Sequence, residues 1–187
     1  RGPRVVVIGG GHGIATVLRG MKDHTQNLTA VVSVADDGGS SGELRRNLGV
    51  LPPGDIRNCL TALSNDETLL TQIFQYRFGS GTGLEGHSLG NLFITALAEI
   101  TGSFEEAVIE SGRVLAVTGR VLPSTLQDVR LVAEIAVPGQ DKLLQVKGES
   151  FITKAGGEVR RVWLEPTNPL AYPPTIQAIL GSFVVPK

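Results

Sequence analysis

The order of elements in the first 35 residues confines this chain to a narrow set of folds. Val5–Ile8 is a short, continuous apolar run that meets Gly9-Gly10-Gly11-His12-Gly13 without a spacer. Ile14, Val17, Leu18 and Met21 then recur at i, i+3, i+4 and i+7, and Leu28–Ala35 is a second apolar run. An apolar strand without alternation is one buried on both faces, as in a parallel sheet. Two such strands joined through a helix form a right-handed crossover. The start therefore predicts an α/β fold of Rossmann-like type, a mostly parallel sheet with flanking helices.

Glycine usage marks the loops of such a fold. Of 24 glycines, twelve fall in the windows 9–13, 38–42 and 79–90. Such clusters mark places where backbone takes positive φ or approaches something closely. The 187 residues suffice for one α/β domain, and 1–187 reads as a single Rossmann-like domain. With 41% hydrophobic and 19% charged residues and a net charge of −1, composition gives a soluble chain with no basic face for nucleic acid. The Arg-Arg pairs at 45–46 and 160–161 read as solvated surface. Cys59 is alone, which excludes a disulfide framework and favours a reducing compartment, the cytoplasm. No apolar run approaches the ~20 residues of a membrane span. Arg-Gly-Pro-Arg leads straight into a strand rather than a signal peptide, and the missing initiator Met reads as a trimmed start.

Further along, Pro52-Pro53-Gly54-Asp55 predicts a helix entry with Asp55 as N-cap and Ile56, Cys59, Leu60 and Leu63 on one face. Helices are expected over Thr68–Phe78 and Leu89–Ile100, and from a capping box at Ser103-Phe104-Glu105-Glu106 to about Gly112. Residues 114–164 change character. Val114–Val117, Leu131–Val137, Glu149–Thr153 and Val159–Leu164 read as strands, with a hairpin turn at Ala155–Glu158. This portion is expected as an antiparallel β insertion on the parallel sheet. Thr175–Leu180 reads as a short helix and Phe183–Val185 as a strand.

Three segments carry chemistry. Gly9–Gly13 resembles a dinucleotide fingerprint, but the third glycine of G-x-G-x-x-G falls at Ile14, which argues against a redox cofactor. The glycine loop and helix start still form an anion site, with His12 available to a phosphate. Asp36 and Asp37 end the second apolar run, and Gly38-Gly39-Ser40-Ser41-Gly42 can wrap N–H groups around an oxyanion. Extended neighbours point to opposite faces, so the two carboxylates are expected to differ in role. Asp55 and Asn58 share a helix face, and Asp55 could join Asp37 around Mg²⁺. Gly86-His87-Ser88-Leu89-Gly90 matches the G-x-S-x-G elbow of serine hydrolases. No apolar strand precedes it and no histidine follows it, so His87, Ser88 and Asn91 read instead as contacts to a phosphate or sugar.

Taken in order, Gly-Gly-Gly-His-Gly (9–13), Val-Ala-Asp-Asp-Gly-Gly-Ser-Ser-Gly-x-Leu-Arg (34–45), Pro-Pro-Gly-Asp-Ile-Arg-Asn-Cys-Leu (52–60), Phe-Gln-Tyr-Arg-Phe (74–78) and Gly-His-Ser-Leu-Gly-Asn-Leu (86–92) resemble the bacterial gluconeogenesis-factor family (YvcK type). That family is similar in fold to 2-phospho-L-lactate transferase. The resemblance implies a UDP-sugar ligand, notably UDP-N-acetylglucosamine, a role in gluconeogenic growth, cell-wall synthesis and cell shape, and a homodimer at full length. Protein partners in cell-wall synthesis fit the same picture. It also implies that Asp37 and Asp55 match the metal- and substrate-binding acids of the transferases, so a Mg²⁺-dependent transferase is the alternative reading. Family members continue beyond the strand near 183–185, so the chain is expected to stop short of the family fold.

Overall fold

The computed structural model describes residues 2–65, 69–81 and 83–182. The elements are β1 (Val5–Gly9), α1 (Gly11–Met21), β2 (Leu28–Val32), α2 (Gly39–Leu48), α3 (Gly54–Leu63), α4 (Leu69–Gln75), α5 (Leu89–Thr101), α6 (Phe104–Val114), β3 (Arg120–Pro123), β4 (Arg130–Ala136), β5 (Leu144–Lys147), α7 (Glu149–Ala155), β6 (Glu158–Glu165) and α8 (Pro173–Leu180). They build two three-stranded sheets. One is parallel in the order β1-β2-β3 and the other antiparallel in the order β5-β4-β6.

The parallel sheet holds the main core. Ala30 and Val32 of β2 are fully buried and pack with Leu18 of α1, Ile56, Leu60 and Leu63 of α3, and Ile94 of α5. Eight of the ten residues of α3 are buried, including Cys59. Each fully buried Leu or Ile here contributes roughly 1.5–3 kcal/mol. A smaller cluster of Val34, Ala35, Leu51 and Val129 lies where the chain approaches β4.

The two expected crossover strands, their helix and the helices expected at 89–100 and 103–112 all form, with shifted ends. Ser103 caps α6 by accepting from the Glu106 N–H. The expected helix over Thr68–Phe78 is shorter: within the described residues it spans Leu69–Gln75, and Arg77 bridges to Ser88 instead. Thr68 and the expected strand at Phe183–Val185 lie outside the described residues.

Several local expectations are corrected. β2 stops at Val32 rather than Ala35. The glycine-serine segment is the first turn of α2, not a free loop. Asp55 is the second residue of α3 and Pro53 is the N-cap, so the Asp55 carboxylate is free to bond elsewhere. Val114–Val117 is not a strand but the end of α6 and a turn through Ala116 at φ 48°. The third parallel strand is β3, four residues ending in proline. Glu149–Thr153 is helical, because Gly148 enters it at φ 106° and the Asp37 carboxylate accepts from the Ser150 N–H. Gly156 ends α7, so the expected hairpin turn is a helix-to-strand link. Among the described residues the antiparallel sheet shares no strand pairing with the parallel one.

Arg45 also departs from its surface reading. It is 4% exposed, and its guanidinium donates to Asp128, to the Val129 carbonyl and to the Asp36 carbonyl. It thereby ties α2 to the start of β4. No helix among the described residues is long and apolar enough to cross a membrane.

Candidate functional site

Four helices, α1, α2, α3 and α5, begin close together near the carboxyl ends of β1 and β2. β1 runs almost directly into α1, and the α1 and α3 starts are joined by the Gly11 N–H, which donates to Asp55 Oδ2 at 2.6 Å. The Gly54 N–H, first in α3, donates to Ser41 Oγ of α2 at 3.0 Å. A Cβ on Gly54 would fall 2.3 Å from that oxygen, so the α2–α3 approach requires glycine there. Asn91 Nδ2 of α5 donates to Ser40 Oγ of α2 at 3.0 Å. The N-caps of α1, α2 and α3 (Gly10, Gly38 and Pro53) place no side chain over the first turn. Helix starts carry partial positive charge, a setting that favours anions.

These starts enclose a cavity of about 160 Å³ lined by His12, Asp36, Gly38, Gly39, Ser40, Ser41, Gly54, Asp55, Arg57, Asn58, Arg77 and Asn91. Asp36 also accepts from the Gly38 N–H at 2.9 Å. Arg57, 6% exposed, donates to Ser88 Oγ and to Asn58 Oδ1. Burial, followed by the Arg77 charge, lowers its guanidinium to about 10. Burial raises the Asp55 carboxyl above its ordinary value, the Asp36 charge adds to that, and the Gly11 N–H opposes it. Among the described residues Arg57 Nε and Asn91 Oδ1 are buried without a partner. Natural proteins seldom leave such atoms unpaired.

The cavity thus gathers nine of the residues singled out from sequence: His12, Asp36, Gly38, Gly39, Ser40, Ser41, Asp55, Asn58 and Asn91. It does not reach Gly9, Gly10, Gly11, Gly13, Asp37, His87 or Ser88. Gly9 belongs to β1, and the Gly11 N–H is taken by Asp55. Ser88 caps α5 by accepting from the Asn91 N–H. His87 lies behind Ser40.

Asp37 is turned toward α7. Its Oδ1 accepts from the Ser150 N–H at 2.9 Å, and its Oδ2 occupies the space that a Cβ on Gly148 would take. The carboxylate facing Asp55 is therefore Asp36, not Asp37 as expected.

Gly54, Arg57 and Arg77 are lining residues that the sequence reading passed over. Arg57 had a signal: a cation inside the helix that carries Ile56, Cys59 and Leu60. Glu149 was missed because its segment read as a strand. Burial raises its carboxyl, and the charges of Asp36, Asp55 and Asp37 add to that in turn.

Comparison with known proteins agrees with this architecture. The family model described as 2-phospho-L-lactate transferase CofD matches residues 5–185. A protein of Nostoc sp. is 59% identical over 179 residues, covering 96% of this chain and 38% of its own length. The gluconeogenesis factor of Halalkalibacterium halodurans is 50% identical, covering 89% of this chain and 51% of that protein. A crystal structure of a Bacillus halodurans protein superposes with a TM-score of 0.87 at 46% identity, over 96% of this chain and 56% of that one. The chain spans about half or less of the length of these relatives. Its fold, its site at the strand ends and these matches place it in the 2-phospho-L-lactate transferase CofD family, among relatives that include the gluconeogenesis factors.

Proposed function

We propose that the cavity holds the diphosphate of a nucleotide sugar, with UDP-N-acetylglucosamine the ligand, and that the complete protein acts as a cytoplasmic regulator of gluconeogenic growth, cell-wall synthesis and cell shape. The observation that carries this reading is the convergence of four helix starts with Arg57 and Arg77 on one small cavity. Amides and guanidiniums together suit a phosphate group. A volume of about 160 Å³ suits the diphosphate alone, so the nucleoside and sugar would lie outside it. Titration of the full-length protein with UDP-N-acetylglucosamine tests the reading. A saturable heat that is lost in Arg57→Met is expected, and no saturable signal at millimolar ligand overturns it.

The second reading is a Mg²⁺-dependent transferase acting on a nucleotide-diphosphate-activated substrate. Asp36 beside Asp55 favours it, since Mg²⁺ takes one or two carboxylates and completes its shell with water and phosphate oxygens. A pair of carboxylates suits such a hard, water-rich ion better than zinc. Asp36 and Asp55 would hold the ion, which when bound supplies charge neutralisation at a diphosphate leaving group. Asp37 serves this scheme by fixing α7, and Arg57 by binding phosphate oxygens. Mg²⁺-dependent turnover that collapses in Asp55→Asn is expected. Ligand affinity that is indifferent to Mg²⁺, with no product from any hydroxyl acceptor, counts against it.

A further inference from the structure

The histidine of the misleading G-x-S-x-G segment meets a different serine. His87 Nδ1 lies 2.9 Å from Ser40 Oγ, and His87 Nε2 lies 3.5 Å from Glu43 Oε2. Ser40 and Glu43 are three apart on α2, hence on one face, so a single imidazole spans both. Ser40 Oγ also accepts from Asn91 Nδ2 at 3.0 Å, and the Glu43 carboxylate favours hydrogen on Nε2, so the serine proton points at His87 Nδ1. A consistent assignment follows. Nδ1 is the unprotonated acceptor, and Nε2 carries the hydrogen facing Glu43. Ser40 and His87 are 7% and 8% exposed, and the serine alone of the two lines the cavity.

A hydroxyl with a base behind it and a carboxylate behind the base is the arrangement of an activated nucleophile. The cavity in front supplies the guanidiniums of Arg57 and Arg77, which suit a phosphoryl group. We propose that Ser40 is a nucleophile that takes a phosphoryl group from a phosphoric anhydride, with His87 as its base and Glu43 as a positioning residue. This rests on reading the cavity as a phosphate site.

In the step, Ser40 Oγ attacks phosphorus. The Oγ–P bond forms as the bridging P–O bond breaks, and that electron pair leaves with the departing anion. The serine proton passes to His87 Nδ1, and the imidazolium is stabilised through Nε2–H by Glu43. Return to an anionic acceptor oxygen reverses the same bonds and hands the proton back to Oγ.

Acetyl phosphate, a small mixed phosphoric anhydride, is the probe. Full-length protein is incubated with it and Mg²⁺, then subjected to intact-mass analysis and peptide mapping. One phosphoryl group on Ser40 is expected, absent in Ser40→Ala and formed about 100-fold or more slowly in His87→Gln. Nitrogen NMR of the unmodified protein reads the tautomer independently. Nε2–H is expected, and Glu43→Gln shifts population toward Nδ1–H without unfolding the protein. A resting Nδ1–H form, an acetyl rather than phosphoryl adduct, or equal labelling of the wild type and Ser40→Ala overturns the proposal. Pyrophosphate titration separates the two readings: pyrophosphate binding without any Ser40 adduct removes the nucleophile and keeps the phosphate site, and absence of both removes both.

Discussion

The parallel layer and the antiparallel arm are held together by different means. In the parallel layer, β2 is buried at four of five positions and α3 at eight of ten, so its stability is hydrophobic. In the arm, β5 has no buried residue and β6 none, and only β4 contributes Val132, Ala133 and Ile135 to an interior. The arm meets the rest of the chain through polar fastenings as well: Asp37 to the Ser150 N–H, and Arg45 to Asp128 and the Val129 carbonyl. Both fastenings start from the segment that shapes the cavity. An element fixed by a few directional bonds can loosen without the hydrophobic layer melting.

The sharpest way to break this comparison is to delete apolar bulk on each side. Leu63→Ala, at 0% exposure, is expected to cost about 2–5 kcal/mol in urea unfolding. Val162→Ala on half-exposed β6 should cost under about 0.5 kcal/mol. Similar losses for the two would refute the contrast.

Next in size is Gly148→Ala, which combines positive φ with a methyl 1.8 Å from Asp37 Oδ2. A loss of about 1–3 kcal/mol is expected. Hydrogen exchange should quicken in β5 and α7 and stay unchanged in β1 and β2. Uniform acceleration would mean that the arm is not a separate unit.

Asp55→Asn acts through pH. The folded state raises this carboxyl above its ordinary 3.8, so the native protein holds the proton more tightly than the unfolded chain does. The resulting stability is complete below the ordinary value and is lost as pH rises through the raised one. Asparagine avoids that loss, so the variant should have the higher Tm at pH 7, with the gain shrinking toward acid. A gain independent of pH would exclude the carboxyl as its source.

A further small effect concerns the ion pair. Asp128 is 62% exposed, and Arg45 keeps two carbonyl partners without it. Asp128→Asn should cost no more than about 1 kcal/mol in denaturant unfolding, with a small dependence on salt.

The parallel layer was legible in the sequence because its signals are local. Val5–Ile8 is unbrokenly apolar, and Ile14 to Met21 keep helical period. The arm was not, because its conformations are set at a distance. Ser150-Phe151-Ile152-Thr153 has the composition of a strand, yet a carboxylate 113 residues away and a positive-φ glycine start a helix there. β3 escaped notice because only Val121 and Leu122 carry apolar pattern in a strand flanked by Arg120 and Pro123.

The site was readable by residue type and less so by direction. Strand alternation was used to separate Asp36 from Asp37, but β2 has already ended at Val32, and the turn that follows decides which carboxylate faces Asp55. Arg45 read as surface because a doublet of arginines shows nothing of the carbonyls that one of them will meet. The His87–Ser40 contact spans 47 residues and depends on how α2 crosses α5, which no spacing within either helix reveals.

The single cysteine gives the hydrophobic layer a built-in clock. Cys59 is 0% exposed in α3, and burial, then the Asp55 charge, push its thiol up to about 12. At neutral pH it is therefore protonated and sealed, unreactive toward oxidants and alkylating reagents while the helix stays packed. Its modification must wait for α3 to be exposed. The rate at which a thiol reagent consumes this one group then reports how often the core opens, with no label added, and leaves motions of the arm unseen.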